Sequence, residues 1–330
     1  ERWANIKLRR GRKAATFGLA TFSAPFLLGV AVGWLMGYPP NACAVIGAVL
    51  ASHTLLGLPV VKAADLMHRE AVVVTVGATV FTDLLSIFVL AVCLPIHISG
   101  FDPRNVLIEL FWLAVYVPAV LIGLSWLAAR MLERFGKSKA NRALVMLVVM
   151  AVAAQGAELI GLEGIIGAFL AGVALKRAFG TTPSDDSLEV MSQTLFIPIF
   201  FVAAGFLVDF KVFFATLRDQ PLLVLGILGA LFGGKWLAAE VAGRVLGYRA
   251  TDRQLMYALT IPQVAATLAV ALVAYSTRNP AGQRLIDEPV LNATVVLVIL
   301  SSLIGLILTG RTVKRLQARE APATTPREAS

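Results

Sequence analysis

The acidic side chain of Asp83 lies near the middle of an apolar run that extends from about residue 71 to residue 94. A run of this length can span a bilayer as a helix. A carboxylate at that depth costs roughly 3 kcal/mol or more unless a partner, water or an ion stabilises it, so it is a candidate functional site. Ionised, such a group can bind a dehydrated monovalent cation, and protonated it is neutral and releases that cation. Asp83 is therefore the first candidate for ion or proton binding.

Hydroxyl side chains accompany Asp83 along one face of the same predicted helix. Thr75, Thr79 and Asp83 are spaced four residues apart, which places them on one face. Ser86 follows Asp83 on that face, and Thr82 directly precedes it. Two interpretations of this polar stripe remain open. Either the hydroxyls bond to carbonyl groups of their own helix, or they supply oxygen atoms beside the carboxylate.

A basic side chain also lies inside a predicted span. Lys235 follows Gly233 and Gly234 in a run that is otherwise apolar. Glycine removes side-chain bulk beside the charge and allows a second backbone to approach. The distance of Lys235 from the cytoplasmic end of its span argues against a side chain that simply extends to the membrane surface.

Two further spans are interrupted near their middle by polar or helix-breaking residues. The second span contains Ser52, His53 and Thr54, and the ninth contains Pro262 and Gln263. Non-helical backbone inside a membrane is tolerated only where protein or water covers it, so paired interrupted helices indicate a binding site. Spans one to three and eight to ten have opposite orientations, each with its interrupted helix in the middle. This arrangement predicts an inverted repeat.

Composition places the whole chain in a membrane. Of its 330 residues 58% are hydrophobic and 15% charged, and the mean hydropathy is +0.80, which is typical of a polytopic helical membrane protein. We predict an all-α polytopic membrane protein with about ten transmembrane helices. Their expected bounds are 14–37, 42–61, 71–94, 106–129, 143–160, 164–175, 194–208, 221–245, 255–275 and 290–310. Residues 1–13 then form a basic cytoplasmic segment, 14–310 the transmembrane domain, and 311–330 a disordered cytoplasmic tail.

The basic residues are unevenly distributed between the two sides of this topology. With the N-terminus in the cytoplasm, the far side receives only Arg104, Lys211, Arg218, Arg278 and Arg284. This asymmetry predicts that both termini are cytoplasmic. The net charge of +9 then reflects membrane topology, so we expect lipid rather than nucleic acid as the partner of the chain. The two cysteines form no CxxC or Cys–His pairing, and no disulfide or zinc site is predicted.

Several motifs occur in order along the chain. They are Thr-Val-Gly-Ala-Thr-Val-Phe-Thr-Asp at 75–83, and the segments 164–175, 196–209, 233–235 and 261–267. Together they resemble bacterial monovalent cation:proton antiporters of the sodium/hydrogen exchanger superfamily, Kef-like branch. The resemblance implies an inner-membrane, homodimeric, elevator-type exchanger with an inverted-repeat fold, two crossed, broken helices and no cofactor. It also implies a fold of about thirteen helices, of which this chain lacks the first three.

Carried over by position, the resemblance assigns a role to each site residue. Asp83 is the acid that holds the cation, Na⁺ or K⁺, and the proton in turn, with Thr79 beside it. Thr82 occupies the position where electrogenic relatives carry a second Asp, which predicts exchange of one cation for one proton. Lys235 matches the basic residue on the partner helix, and the two interrupted segments match the crossed, unwound helices. No nucleotide-binding fingerprint follows the last span.

Three other functions remain as alternatives. An intramembrane aspartyl protease needs two acids that meet in the membrane, whereas only Asp83 lies at mid-depth, and the HExxH and GxSxG patterns are absent. A sodium-coupled symporter of an organic anion would share the fold and would take up Na⁺ in response to its substrate. A non-transporting membrane scaffold is the third.

Overall fold

The computed structural model describes residues 2–100, 103–136, 138–160, 164–179, 194–195, 198–199, 202 and 210–320. Nearly all of these residues are helical, and within the described ranges the extended pairing is a single antiparallel bridge between Arg278 and Arg284. The protein is therefore an all-α polytopic membrane protein, as the composition predicted.

The helices follow the apolar runs of the sequence. They are α1 (Arg2–Leu35), α2 (Pro40–Ala51), α3 (Leu58–Ala63), α4 (Glu70–Ser99), α5 (Pro103–Pro118), α6 (Ser125–Phe135), α7 (Lys139–Leu159), α8 (Gly164–Phe179), α9 (Phe210–Asp219), α10 (Pro221–Val245), α11 (Ala250–Thr260), α12 (Ala265–Ser276) and α13 (Glu288–Glu320). A π-helical turn at Ala119–Leu124 joins α5 to α6. It follows Pro118, whose missing N–H removes one bond of the α-helical ladder.

Seven helical stretches among the described residues are long and apolar enough to cross a membrane. The predicted count of about ten spans is not confirmed. The second predicted span is divided between α2 and α3, and α8 has only 16 residues. The predicted span 194–208 falls mainly outside the described residues.

The outermost helices extend beyond the bounds expected from hydropathy. The first helix begins at Arg2, so most of the segment expected at 1–13 is helical. The last helix continues to Glu320, although a disordered tail was expected from residue 311. Residues 321–330 lie outside the described part of the chain.

The chain divides into two compact units. The first contains α1, α2, α3, α4 as far as Leu90, and α9 to α13. One buried cluster in this unit joins α1, α4, α10 and α11 through Phe17, Val74, Ala78, Ala239 and Met256. Another joins α3, α4, α11 and α13 through Val61, Val72, Leu255, Leu259 and Val313. Because lipid is as apolar as these side chains, close packing rather than hydrophobic burial holds such helices together.

The second unit contains α4 from Ala91 and the helices α5 to α8. A Cβ added at Gly167 of α8 would overlap the carbonyl group of Ala153 on α7. The hydroxyl of Tyr116 on α5 donates a hydrogen bond to that same carbonyl oxygen. A small residue therefore brings α7 and α8 together at backbone distance, and one polar contact joins α5 to α7; both are typical of membrane helix packing.

Candidate functional site

Two helix interruptions lie in contact inside the first unit. One separates α2, which ends at Ala51, from α3, and the other separates α11, which ends at Thr260, from α12. The main-chain N–H of Thr54 donates to the carbonyl oxygen of Pro262 at 2.7 Å. Pro262 cannot donate to the preceding helical turn, which explains why α11 ends beside it. The structure thus places both interruptions at the predicted residues and brings them together.

Gln263 joins the two interruptions through its side chain. Its amide nitrogen donates to the carbonyl oxygens of Leu50, at 3.3 Å, and Ser52. Thr267, one turn further along α12, lies 3.0 Å from the hydroxyl of Ser52. The main-chain N–H of Gln263 donates to the hydroxyl of Ser301 at 3.1 Å. The Gln263 amide thus supplies a donor to carbonyl groups that the broken helix leaves unpaired, and Ser301 supplies an acceptor to the main-chain N–H of Gln263.

Lys235 supplies another donor at the same place. Its side chain is fully buried, and Nζ donates to the carbonyl oxygen of Ala51 at 2.6 Å and to that of Thr21 at 3.0 Å. Ala51 is the last residue of α2, where carbonyl groups lack helical partners. The carbonyl of Thr21 lies four residues before Pro25 in α1, and proline has no N–H to donate to it. Lys235 therefore satisfies two carbonyl oxygens that would otherwise have no donor, one of them at the negative end of a helix.

The prediction of close backbone approach beside Lys235 holds for one glycine of the pair. A Cβ added at Gly234 would lie 2.5 Å from the Cα atom of Pro25, so only glycine allows α10 to contact α1 there. A Cβ added at Gly233 would meet no atom within 4 Å. Gly234 therefore positions Lys235 against α1, and Gly233 has no such packing role.

The threonine hydroxyls of α4 bond to their own helix, which agrees with the first interpretation of the polar stripe. Thr75, Thr79 and Thr82 donate to carbonyl groups three or four residues earlier, at 2.8, 3.2 and 2.9 Å respectively. Two of these hydroxyls also contact the buried imidazole of His53. Thr79 Oγ1 lies 3.0 Å from His53 Nε2, and Thr82 Oγ1 lies 3.2 Å from His53 Nδ1.

The carboxylate of Asp83 lies beside this histidine. Asp83 directly follows Thr82, whose hydroxyl contacts the ring of His53, and Lys235 is close enough for a Coulombic attraction to the carboxylate. The Oδ1 atom of Asp83 is buried and has no hydrogen-bond partner among the residues that the structure describes. The hydroxyl of Ser86, one turn later, is also buried and has no hydrogen-bond partner among the described residues. A carboxylate oxygen without a donor costs about 1–3 kcal/mol or more, a cost that a proton or a cation would remove.

The sequence left several residues of this site unassigned. Thr21 and Ser301 carry no pattern that marks them, because each contributes through a contact far away in the chain. Thr267 belongs to the motif at 261–267, one helical turn after Gln263, although the sequence assigned it no role. A second group of polar contacts joins helix ends in the same unit through the ion pairs Lys13–Glu70, Arg69–Asp252 and Arg253–Glu240. This group lies at the ends that the charge distribution predicted to be cytoplasmic.

Comparison with known proteins identifies similar chains and a similar fold. The family model described as sodium/hydrogen exchanger, transmembrane, matches residues 6–315. The chain is 41% identical over 307 residues to the Na⁺/H⁺ antiporter NhaS5 of Synechocystis, covering 93% of this chain and 44% of that protein. It is 26% identical over 285 residues to the Na⁺/H⁺-K⁺ antiporter GerN of Bacillus cereus, covering 85% of this chain and 70% of that protein. The chain therefore spans less than half the length of the first of these relatives.

A solved structure shares the fold at low sequence identity. The sodium proton antiporter MjNhaP1 of Methanocaldococcus jannaschii, at pH 8, superposes with a TM-score of 0.71 and 16% identity, covering 95% of this chain and 80% of that chain. This likeness supports the inverted-repeat fold with crossed, broken helices. It extends over nearly the whole chain.

Proposed function

This chain belongs to the sodium/hydrogen exchanger transmembrane family over residues 6–315, and on that premise we propose that it exchanges Na⁺ or K⁺ for H⁺ across a membrane. Asp83 is the residue that binds the cation and the proton in turn. The observation that carries this assignment is the buried Oδ1 atom of Asp83, which has no donor among the described residues and lies where two broken helices cross. An oxygen in that condition is stabilised by a proton or by a cation, and one site cannot hold both.

The oxygen atoms around Asp83 suit a monovalent cation. The hydroxyl of Ser86 lies on the same helical face as Asp83, is buried, and has no hydrogen-bond partner among the described residues. Thr79 lies one turn before Asp83. Relatives of this chain are named as Na⁺/H⁺ antiporters, and one is named as an Na⁺/H⁺-K⁺ antiporter. Hydroxyl and carboxylate oxygens are ligands for either ion. The organic-anion symporter and the scaffold are not favoured, because the relatives named above are antiporters.

Alternating access follows from the charge of Asp83. An ionised and unliganded carboxylate is costly to move past an apolar surface, whereas the same group with a bound cation or proton is neutral. We propose an elevator-type movement that occurs only in these neutralised states. We also propose a homodimer in a bacterial inner membrane with both termini of the chain in the cytoplasm, since Lys and Arg are concentrated on that side.

The decisive experiment compares Asp83→Asn with the wild type in proteoliposomes. The purified protein that carries this chain is reconstituted with an internal pH dye, and Na⁺, Li⁺ or K⁺ is added outside. We expect cation-dependent proton movement in the wild type and its loss in Asp83→Asn, because the amide cannot exchange a proton for a cation. Asp65→Asn is the matched control, since Asp65 is exposed and its positive φ of 58° is also tolerated by asparagine.

Proton movement in Asp83→Asn within about twofold of the wild-type rate would refute the assignment. Folding is checked by size-exclusion chromatography and by the melting temperature of each variant. The same assay at several imposed membrane potentials tests the role of Thr82. One cation per proton moves no net charge, whereas a net charge of one would contribute about 2.3 kcal/mol per 100 mV.

A further inference from the structure

The imidazole of His53 is held at both of its nitrogen atoms. Nε2 lies 3.0 Å from the hydroxyl of Thr79, and Nδ1 lies 3.2 Å from the hydroxyl of Thr82. The side chain is 1% exposed, so neither contact competes with bulk water. Each threonine hydroxyl has one hydrogen atom, so a neutral ring donates to one hydroxyl and accepts from the other, which then donates to the ring instead of to its helix carbonyl. The ring is thereby fixed against α4 on two successive turns.

The same residue lies beside Asp83. His53 belongs to the non-helical segment after α2, and Thr82, which its ring contacts, directly precedes Asp83 on α4. The ring therefore holds the turn of α4 that carries Asp83 against the interruption. A displacement of the ring would move this turn and the carboxylate with it.

The hydrogen-bond network indicates orientation rather than proton conduction. The hydroxyl that accepts from the ring donates to a carbonyl of α4, either Thr79 to Thr75 or Thr82 to Thr79, while the other hydroxyl donates to the ring. A carbonyl oxygen has no proton to pass on, so the network ends in the main chain of α4.

We propose that His53 is a positioning residue, and that its two ring contacts fix the position of α4 relative to the interruption between α2 and α3. In this position the turn of α4 that carries Asp83 lies against the interruption, and Oδ1 is left for the transported cation. The proposal rests on the proposed function of Asp83 and identifies what orients that carboxylate. Loss of this orientation should weaken cation binding, because the carboxylate then no longer holds an oxygen atom in a fixed position for the cation.

Two isosteric substitutions separate the two contacts of the ring. The amide of asparagine lies as many bonds from Cβ as Nδ1 does, so His53→Asn keeps the contact with Thr82 and loses that with Thr79. The amide of glutamine corresponds to Nε2, so His53→Gln keeps the contact with Thr79 and loses that with Thr82. Thr79→Val and Thr82→Val remove the same two contacts from the other side.

The measurement is the apparent KM for Na⁺ and the maximal exchange rate of each variant in proteoliposomes. Loss of one contact is expected to raise the KM about fivefold with the maximal rate within about twofold of wild type. Combining His53→Asn with Thr79→Val, or His53→Gln with Thr82→Val, should give no further increase, because both changes remove one contact. The crossed pairs remove both contacts and should raise the KM about 25-fold.

Three results would overturn the proposal. The first is an unchanged KM in all the folded single variants, and the second is additive effects on the KM in all four pairs. The third is a shift in the pH at which exchange is half-maximal that occurs in His53→Asn and His53→Gln but not in the threonine variants. The last result would make the ring itself the titrating group. His68→Asn is the control, since His68 is exposed in the turn before α4. If Asp83→Asn retained exchange, the proposed function would fail, whereas loss of exchange there with an unchanged KM in the His53 variants refutes only this inference.

Discussion

Replacement of Lys235 by methionine tests the account of how the crossed helices are stabilised. Methionine keeps an unbranched apolar side chain of similar length and removes the three N–H donors of lysine. The carbonyl oxygens of Ala51 and Thr21 then lose their donor in the interior of the first unit. Two lost bonds at about 1–2 kcal/mol each predict a loss of about 2–4 kcal/mol in the free energy of unfolding.

A second substitution restores one of the lost donors. Pro25→Ala returns an N–H to α1 at the position that bonds the Thr21 carbonyl in a regular helix. Its stabilising effect should therefore be larger by about 1 kcal/mol in the Lys235→Met background than in the wild type, where Nζ already occupies that oxygen. Reversible unfolding in mixed micelles gives the four free energies, and Lys62→Met is the matched control because Lys62 is exposed on α3.

Equal effects of Pro25→Ala in both backgrounds would refute the reasoning. A loss below about 0.5 kcal/mol in Lys235→Met would do so as well, since surface substitutions vary by that much. Either result would mean that Lys235 acts mainly through its attraction to Asp83 rather than through the two carbonyl groups. Exchange activity measured on the same four variants shows whether the stability of the α2 end and transport change together.

Two further predictions concern packing and pH. Gly234→Ala places its Cβ against Pro25 and should destabilise the protein by about 1–3 kcal/mol. The Cβ of Gly233→Ala meets no atom within 4 Å, so this substitution should stabilise the protein by up to about 1 kcal/mol. The melting temperatures of the two variants check both expectations. The pKa of Tyr38 is raised by burial and by the charge of Asp287, which accepts its hydroxyl bonds at 3.0 and 3.1 Å. Because the pKa of Tyr38 in the folded protein then exceeds the unfolded value of about 10, the stability should decline as the pH rises above about 10. The melting temperature, followed from about pH 8 to pH 11, should decline less in Tyr38→Phe than in the wild type.

Local chemistry explains why the interruptions and Gly234 could be predicted from the sequence. Proline removes a donor and glycine removes a side chain wherever they occur, so Pro262 and Gly234 affect their helices independently of distant contacts. A buried lysine in an apolar run likewise requires an acceptor in any fold. The sequence therefore argued against a Lys235 side chain that simply extends to the membrane surface, although it could not tell which groups the side chain contacts.

Contacts between distant segments could not be predicted in this way. The bonds from Gln263 to the end of α2 join residues more than two hundred positions apart, and they depend on how two broken helices cross. The end of α13 was placed too early for a different reason. Hydropathy reports where the apolar run ends, whereas Lys and Arg are good helix formers and allow the helix to continue beyond it to Glu320.

The distribution of hydrogen-bond donors at the crossing explains why Asp83 is suited to bind ions. Side chains from elsewhere in the unit donate to each carbonyl oxygen at the end of α2, namely Thr267 to Val49, Gln263 to Leu50 and Ser52, and Lys235 to Ala51. These bonds remove the tendency of the unwound carbonyls to compete for a cation. The Oδ1 atom of Asp83 lies in the same unit without a donor among the described residues. Under the proposed function, a cation or a proton that enters is therefore bound by this carboxylate rather than by the helix ends, and it neutralises Asp83 while Lys235 stays bonded to the two carbonyl groups.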